Sequence, residues 1–313
     1  MEKRDPIDLS KRIHLIDGFD LGVPGRTGTY VIDEQQLTLV ETGPSMSVPR
    51  IIEGLNDLKL DPKDVRYIIL THIHLDHAGG AGLLLKECPE AEVIVHPRGK
   101  RHLADPSRLI QGARAVYGDN FDKLFDPILP IPEEKLIVKE DGSTLQTGPE
   151  CTLSFLDTPG HAKHHIGIYD PVSKGVFTGD TAGIRYHQIE GITFYLPSTS
   201  PNQFDPEAMK QSINRFRELD LERVYFGHFG MSEEPESAFD QVVSWIPEFL
   251  AAAEEAVERD EGVKGIKERL RQKIYTYLKG FSIQEDHPVY EVIDLDIEVC
   301  SMGLADYFQK QRG

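Results

Sequence analysis

The chain has little cysteine, a deficit of positive charge and no long apolar run, and each shortage closes off a class of protein. Only three cysteines occur in 313 residues, Cys88, Cys151 and Cys300, widely spaced and without a C-x-x-C pair. That count and spacing argue against a disulfide framework and a thiolate zinc cage, and a reducing cytoplasm is the expected compartment. Lysine and arginine number 34 against 52 aspartates and glutamates, giving a net charge of −18. Such a field repels phosphate backbones and anionic bilayers, so neither nucleic acid nor membrane is an expected partner. No stretch approaches the roughly 18 uninterrupted apolar residues of a membrane span, and Met1 to Asp5 lacks the apolar core of a secretion signal. The expectation is a soluble, unexported protein that takes a small-molecule substrate, with a homo-oligomer compatible with the sequence.

What is present alternates between sheet and helix. Short β-rich runs at Ile13–Ile16, Thr29–Ile32 and Leu37–Val40 are separated by turn clusters, which predicts a strand meander. Val48, Ile51, Ile52 and Leu55 recur at helical spacing, and a strand–loop–helix passage over 65–88 precedes another apolar run at Val93–Val95. The alternation predicts a layered α/β fold. Residues at about 98–150 carry few strand signals and read as an inserted helical region, either a lid at the mouth of a site or a surface excursion with its own small apolar face. Strands resume at Leu153–Leu156, Ile166–Tyr169 and Val176–Thr178. Asp205-Pro206-Glu207 then has the cap, N1 proline and first-turn acid of a helix start. Beyond Gly230, Val242, Ile246, Phe249, Ala253 and Val257 form one amphipathic stripe, and Val263, Ile266, Leu270, Ile274 and Tyr277 another. Ile293, Leu295, Ile297 and Val299 alternate with period two, yet helix is preferred there. Residues 1–231 are expected to form the main domain and 232–313 a helical C-terminal appendage.

The chemistry concentrates in ILTHIHLDHAGG, residues 69–80, where three histidines and an aspartate occupy six positions behind an apolar run. On a helix, residues two apart sit roughly 200° around the axis, so His72 and His74 could not share one ion. Extended chain sends i and i+2 to the same side, and Tyr67–Leu70 reads as a buried strand. The small residues Ala78 to Ala81 lead into a helix starting near Asp76, which puts the cluster on a strand-to-helix loop. Three more apolar runs end in metal-binding side chains: DTPGHAKHH with His161, VFTGDTAG with Asp180, and VYFGHFG with His228. If all four strand ends lie at one sheet edge, their loops converge, and imidazole plus carboxylate without thiolate suits zinc, iron or manganese. Taken alone, His228 fits a structural or solvent-exposed histidine as well. His164 and His165 read as supporting or surface residues; His14, His96, His102, His187 and His287 lack ligand-like spacing. Arg185, Tyr186 and His187 follow Asp180 closely and, with Phe194 to Pro197, are expected to form a substrate-pocket wall, ordinary apolar packing being the alternative for Phe194 and Tyr195.

THIHLDHAGG resembles the H-x-H-x-D-H signature of the metallo-β-lactamase superfamily, and TPGH, GD and GH follow in that family's order. LVETGPS is similar to its early strand ending, usually D-T-G, with Glu41 replacing the aspartate. The resemblance covers residues 13–230 and implies a four-layer αββα sandwich with a metal centre at one edge of the two sheets. Carried over by position, it assigns His72, His74 and His161 to one divalent ion, Asp76, His77 and His228 to a second, and Asp180 to both. Zinc is the expected metal, with iron or manganese as alternatives. Two ions about 3.5–4 Å apart can share a hydroxide at neutral pH, and Asp76, the expected catalytic residue, orients that water and passes a proton to the departing atom. A mononuclear enzyme using Asp76 as base is the alternative. The implied activity is hydrolysis of a carboxylic ester, lactone or thioester, since the C-terminal helices resemble those of hydroxyacylglutathione hydrolases and TPGH with its aromatic loop resembles the lactonases. A phosphodiesterase of the same fold, or an iron-dependent oxidoreductase similar to persulfide dioxygenases, is the alternative.

Overall fold

The early β-rich runs fold as β1 (Ile7–Asp8), β2 (Ile13–Asp17), β3 (Gly28–Ile32) and β4 (Leu37–Val40), each antiparallel to the one before. Helix α1 (Val48–Asp57) leads to β5 (Val65–Ile69), parallel to β4. The short α2 (Leu75–Ala78) and α3 (Ala81–Glu87) lead to β6 (Glu92–Val95), parallel to β5. Three helices, α4 (Pro97–Ala104), α5 (Ser107–Tyr117) and α6 (Phe121–Phe125), come before β7 (Leu136–Val138), which completes a seven-stranded sheet in chain order. The chain continues through β8 (Thr144–Gln146), β9 (Thr152–Asp157), β10 (Ile166–Asp170) and β11 (Gly175–Gly179) to a two-stranded ribbon of β12 (Ile184–Arg185) and β13 (Tyr195–Leu196). After α7 (Pro206–Arg217) come β14 (Arg223–Phe226) and β15 (Met231–Ser232), and then α8 (Pro235–Glu258), α9 (Gly262–Gly280) and α10 (Val289–Arg312). The second large sheet has the order β15-β14-β11-β10-β9-β8.

This computed structural model describes residues 4–312, and the chain forms two compact units. The first comprises the segments up to Thr158, His164–Gly179 and Leu219–Glu234. Because successive strand residues point to opposite faces, its seven-stranded sheet feeds two cores. Tyr30, Ile32, Ile69 and Ile94 face Phe155, Ile166, Ile168 and Phe177 of the second sheet. Val31, Leu39, Ile68 and Val93 instead pack with Ile51 and Leu55 of α1, Leu84 of α3 and Leu103 of α4. Each fully buried side chain of this size contributes about 1.5–3 kcal/mol, so the alternation fixes the strand register.

The second unit comprises Pro159–Lys163, Asp180–Glu218 and the chain from Pro235 onward. Asp205 caps α7 as expected, its carboxylate accepting from the N–H groups of Glu207 and Ala208. Both predicted stripes are buried, through Val242, Ile246, Phe249 and Ala253 on α8 and Ile266, Leu270 and Ile274 on α9. In α10 the period-two residues separate at helical spacing: Ile293 and Ile297 are buried whereas Leu295 is 42% exposed. Among the described residues no helix is long and apolar enough to cross a membrane, and all three cysteines are free and buried.

One sequence expectation needs correction. The helical reading of 98–150 holds only to Phe125; Leu136–Val138 and Thr144–Gln146 are strands, one in each large sheet. Each is three residues long with a single buried side chain, Leu136 or Leu145, too little pattern to register as strand. Helices α5 and α6 do carry their own small core, where Phe121 and Phe125 pack on Leu75 of α2. Residues 232–313 carry the expected C-terminal helices, and α8 to α10 share their unit with β12, β13 and α7.

Candidate metal centre

Strand β5 ends at Ile69 and the backbone then runs irregularly to His74, which sits extended at φ −63° and ψ 150° at the start of α2. This places His72 and His74 side by side, ring centroids 4.6 Å apart, with the His77 ring 4.2 Å from that of His72. His228, after β14, reaches the same place: its Nε2 is 3.7 Å and that of His77 3.5 Å from Asp76 Oδ2. Those separations are long for hydrogen bonds but suit neighbouring ligands of one ion, because donor bonds of about 2.0–2.2 Å at tetrahedral angles put ligand atoms roughly 3.3–3.6 Å apart. Asp76, His77 and His228 each offer an atom within 4.8 Å of the others, as do Glu41, His72 and His77. The donor set, nitrogen and carboxylate without thiolate, therefore fits a borderline divalent cation.

Glu41 orders this half of the site. It terminates β4 at φ +66°, an unusual conformation for a residue with a side chain, and its buried carboxylate lies 3.4 Å from His77 Nδ1. It also accepts a short hydrogen bond from the Thr71 hydroxyl, whose oxygen is 3.0 Å from His72 Nδ1. With the only Thr71 proton given to the carboxylate, His72 Nδ1 must be the donor, which leaves the His72 Nε2 lone pair for a metal. Thr42 adds two hydrogen bonds, from its N–H (2.9 Å) and its hydroxyl (3.0 Å), to the His77 carbonyl. The ring of His165 stacks on His72 at 5.0 Å and its Nδ1 lies 2.9 Å from the Thr158 hydroxyl, so it supports the loop. Gly179, at φ +46°, has no room for a Cβ, which would lie 2.4 Å from both His165 Nε2 and Thr71 Oγ1.

The second unit brings His161 and Asp180 together, Nε2 to Oδ2 at 3.5 Å. His161 Nδ1 donates to the Ser198 carbonyl at 3.0 Å and the Ser198 hydroxyl donates to Asp180 Oδ2 at 3.0 Å. Since a carbonyl only accepts, this imidazole too keeps its Nε2 lone pair. Of the expected pocket wall, Arg185 and His187 are half-buried. Tyr186 is a core residue instead: its hydroxyl donates to Asp296 at 3.0 Å and its ring packs near Phe194. A residue 110 positions away holds it, which no local pattern could reveal. Thr71 and Ser198 were likewise invisible in the sequence, and so was Asp20. That buried carboxylate takes one hydrogen bond from Arg26 Nε at 3.1 Å and has its other oxygen unsatisfied. Burial pushes the Asp20 carboxyl up; Arg26 opposes this, while the charge of Asp76 adds to it.

With fold and donor set established, comparison places the chain. The family model described as the metallo-beta-lactamase superfamily matches residues 22–228, and the chain belongs to that superfamily. It is 29% identical over 223 residues, 70% of this chain and 78% of the relative, to a metallo-beta-lactamase fold-containing protein of Sulfurisphaera tokodaii. A hydroxyacylglutathione hydrolase of Idiomarina loihiensis is 26% identical over 72% of each chain. An atrochrysone carboxyl ACP thioesterase of Aspergillus fumigatus is 26% identical over 75% of this chain and 61% of its own. Among solved structures, a metallo-beta-lactamase family protein from Thermus thermophilus shares the fold at TM-score 0.66 and 18% identity, covering 97% of this chain and 95% of its own. The α/β sandwich with a C-terminal helical region anticipated from the motifs is thus the fold found, and this fold implies divalent metal binding.

Proposed function

We propose that this protein is a metal-dependent hydrolase that cleaves a carboxylic ester, lactone or thioester of a small molecule. The observation that carries the reading is the approach of His77 and His228 to Asp76, at 3.5 and 3.7 Å, beside His72 and His74. The order of the family motifs supports a full set in which His72, His74 and His161 serve one divalent ion, Asp76, His77 and His228 a second, and Asp180 both, with zinc as the metal. When bound, such ions bring the pKa of water from 15.7 to about 7 and polarise an electrophilic oxygen.

The chain's own groups supply the rest. Asp76, its side chain 22% exposed beside a His77 that is only 1% exposed, is the carboxylate that solvent can reach. It is the residue we assign to taking a proton from the attacking water and delivering it to the leaving atom. His72 is held in the tautomer that presents Nε2, and Arg185 and His187 are assigned to substrate contact. The hydrolase and thioesterase names of two relatives support a thioester within the proposed range. The net charge of −18 supports a neutral or cationic small molecule over nucleic acid, and three buried free thiols support a reducing compartment such as the cytoplasm.

The test is turnover of a panel of lactones, thioesters, simple esters and phosphodiesters by zinc-, manganese- and iron-loaded protein. Carboxylic substrates should dominate, and Asp76→Asn should lower turnover by about 10²–10⁴-fold. Predominant phosphodiester cleavage, or oxygen consumption by the iron form, overturns the assignment.

A further inference from the structure

The segment Pro197–Ser200 connects two things: the paired side chains His161 and Asp180, and the last helix of the chain. Towards the former, the Ser198 carbonyl accepts from His161 Nδ1, the Ser198 hydroxyl donates to Asp180 Oδ2, and the Ser200 hydroxyl donates to the His161 carbonyl, each at 3.0 Å. Towards α10, the Thr199 hydroxyl donates to the Cys300 carbonyl at 2.9 Å and the Cys300 thiol sits 3.8 Å from the Pro197 carbonyl. Gly303 lets the backbones touch: a Cβ there would fall 2.1 Å from the Thr199 carbonyl oxygen. One turn earlier, Asp296 accepts from the hydroxyl of Tyr186, which follows β12 in the ribbon that leads into this segment. Ser198, Thr199, Ser200, Asp296 and Cys300 are all buried, so water does not compete for these bonds.

We propose that Ser198 is a positioning residue for both His161 and Asp180, and that α10 is the scaffold that keeps it in place. The inference deepens the reading of those two residues as metal ligands and rests on it. One residue acts on two ligands through different atoms. Its carbonyl fixes the His161 tautomer and ring, and its hydroxyl fixes the Asp180 carboxylate, which is how partners behind a ligand set its direction and basicity. The C-terminal helix thereby becomes part of the metal site without contributing a ligand.

The full chain, stripped of metal, is titrated with cobalt(II) alone and followed by its visible ligand-field absorption; zinc affinity is measured by competition with a chromophoric chelator. Ser198→Ala should weaken zinc about 10–100-fold, the usual effect of losing a partner behind a ligand, and should alter the cobalt spectrum. Ser198→Thr, which keeps the hydroxyl, should restore both. Thr199→Val, which only loosens the tie to α10, should shift both readouts in the same direction by less, and Gly303→Ala should do so by displacing the segment. Unaltered zinc affinity and cobalt spectrum in Ser198→Ala would overturn the proposal while leaving the metal-site reading standing. Failure of the unmutated chain to take up either ion would remove that reading and the proposal with it.

Discussion

Replacing Glu41 tests the reasoning about the metal centre most directly, because this one carboxylate governs two imidazoles. It lies 3.4 Å from His77 Nδ1 and takes the Thr71 hydroxyl proton, which makes Thr71 an acceptor for His72 Nδ1. In Glu41→Ala the Thr71 hydroxyl loses its acceptor and turns to His72 Nδ1, 3.0 Å away. His72 must then carry its proton on Nε2, the atom a metal needs, while His77 loses the anion behind it. Loss of one such partner costs about 10–100-fold in metal affinity, or roughly 1.4–2.8 kcal/mol. Two affected ligands put the expected loss at or above the top of that range. Glu41→Gln should fall between, since its amide oxygen can still accept from Thr71 but it carries no charge for His77. The assay is zinc competition against a chromophoric chelator on folded, metal-free protein. Thr71→Val should add little to Glu41→Ala, because both remove the same link to His72. Wild-type zinc affinity in Glu41→Ala, or full additivity of the two changes, would refute the tautomer argument.

Three further outcomes follow from the structure. Asp180→Ala should lower bound metal, by elemental analysis, from about two ions per chain toward one or none if it serves both; unchanged stoichiometry would show that it does not. Burial alone would push the Asp170 carboxyl up, but the Arg12 guanidinium, the Ser173 hydroxyl and the Val172 N–H outweigh it and hold it below the usual range. Its contribution to stability is therefore complete above the unfolded value of about 3.9 and is lost as pH falls through the lower folded value. Asp170→Asn should cost about 1.5–3 kcal/mol near neutrality, the loss of charge-assisted hydrogen bonds from an Arg12 that keeps Glu34 at 2.7 Å, and the gap to wild type should narrow in denaturant melts at successively lower pH. Asp205→Ala, which uncaps α7, should cost about 1 kcal/mol in the same melts.

How far the sequence could be read follows from the reach of each interaction. The candidate ligand loop was legible because its information is local: a buried strand, histidines two apart and a helix start all fall within residues 65–78. The Asp205 cap was legible for the same reason, since its partners are two and three residues away. Strands β7 and β8 were not, because a three-residue strand with one buried side chain carries less than one period of pattern. Amphipathic stripes gave α8 and α9 but not their surroundings, since a stripe says that a face is buried without saying against what. Glu41 shows the boundary most clearly. Its place in the E-T-G motif was visible, but its reach to Thr71 and His77 depends on the parallel pairing of β4 with β5, which brings residues 30 and 36 positions apart into contact. Motif spacing therefore names the candidate ligands, whereas the groups proposed to set their tautomer and direction are supplied by tertiary contacts. In this chain those groups are a glutamate where the family motif usually has aspartate, and a serine held by the last helix.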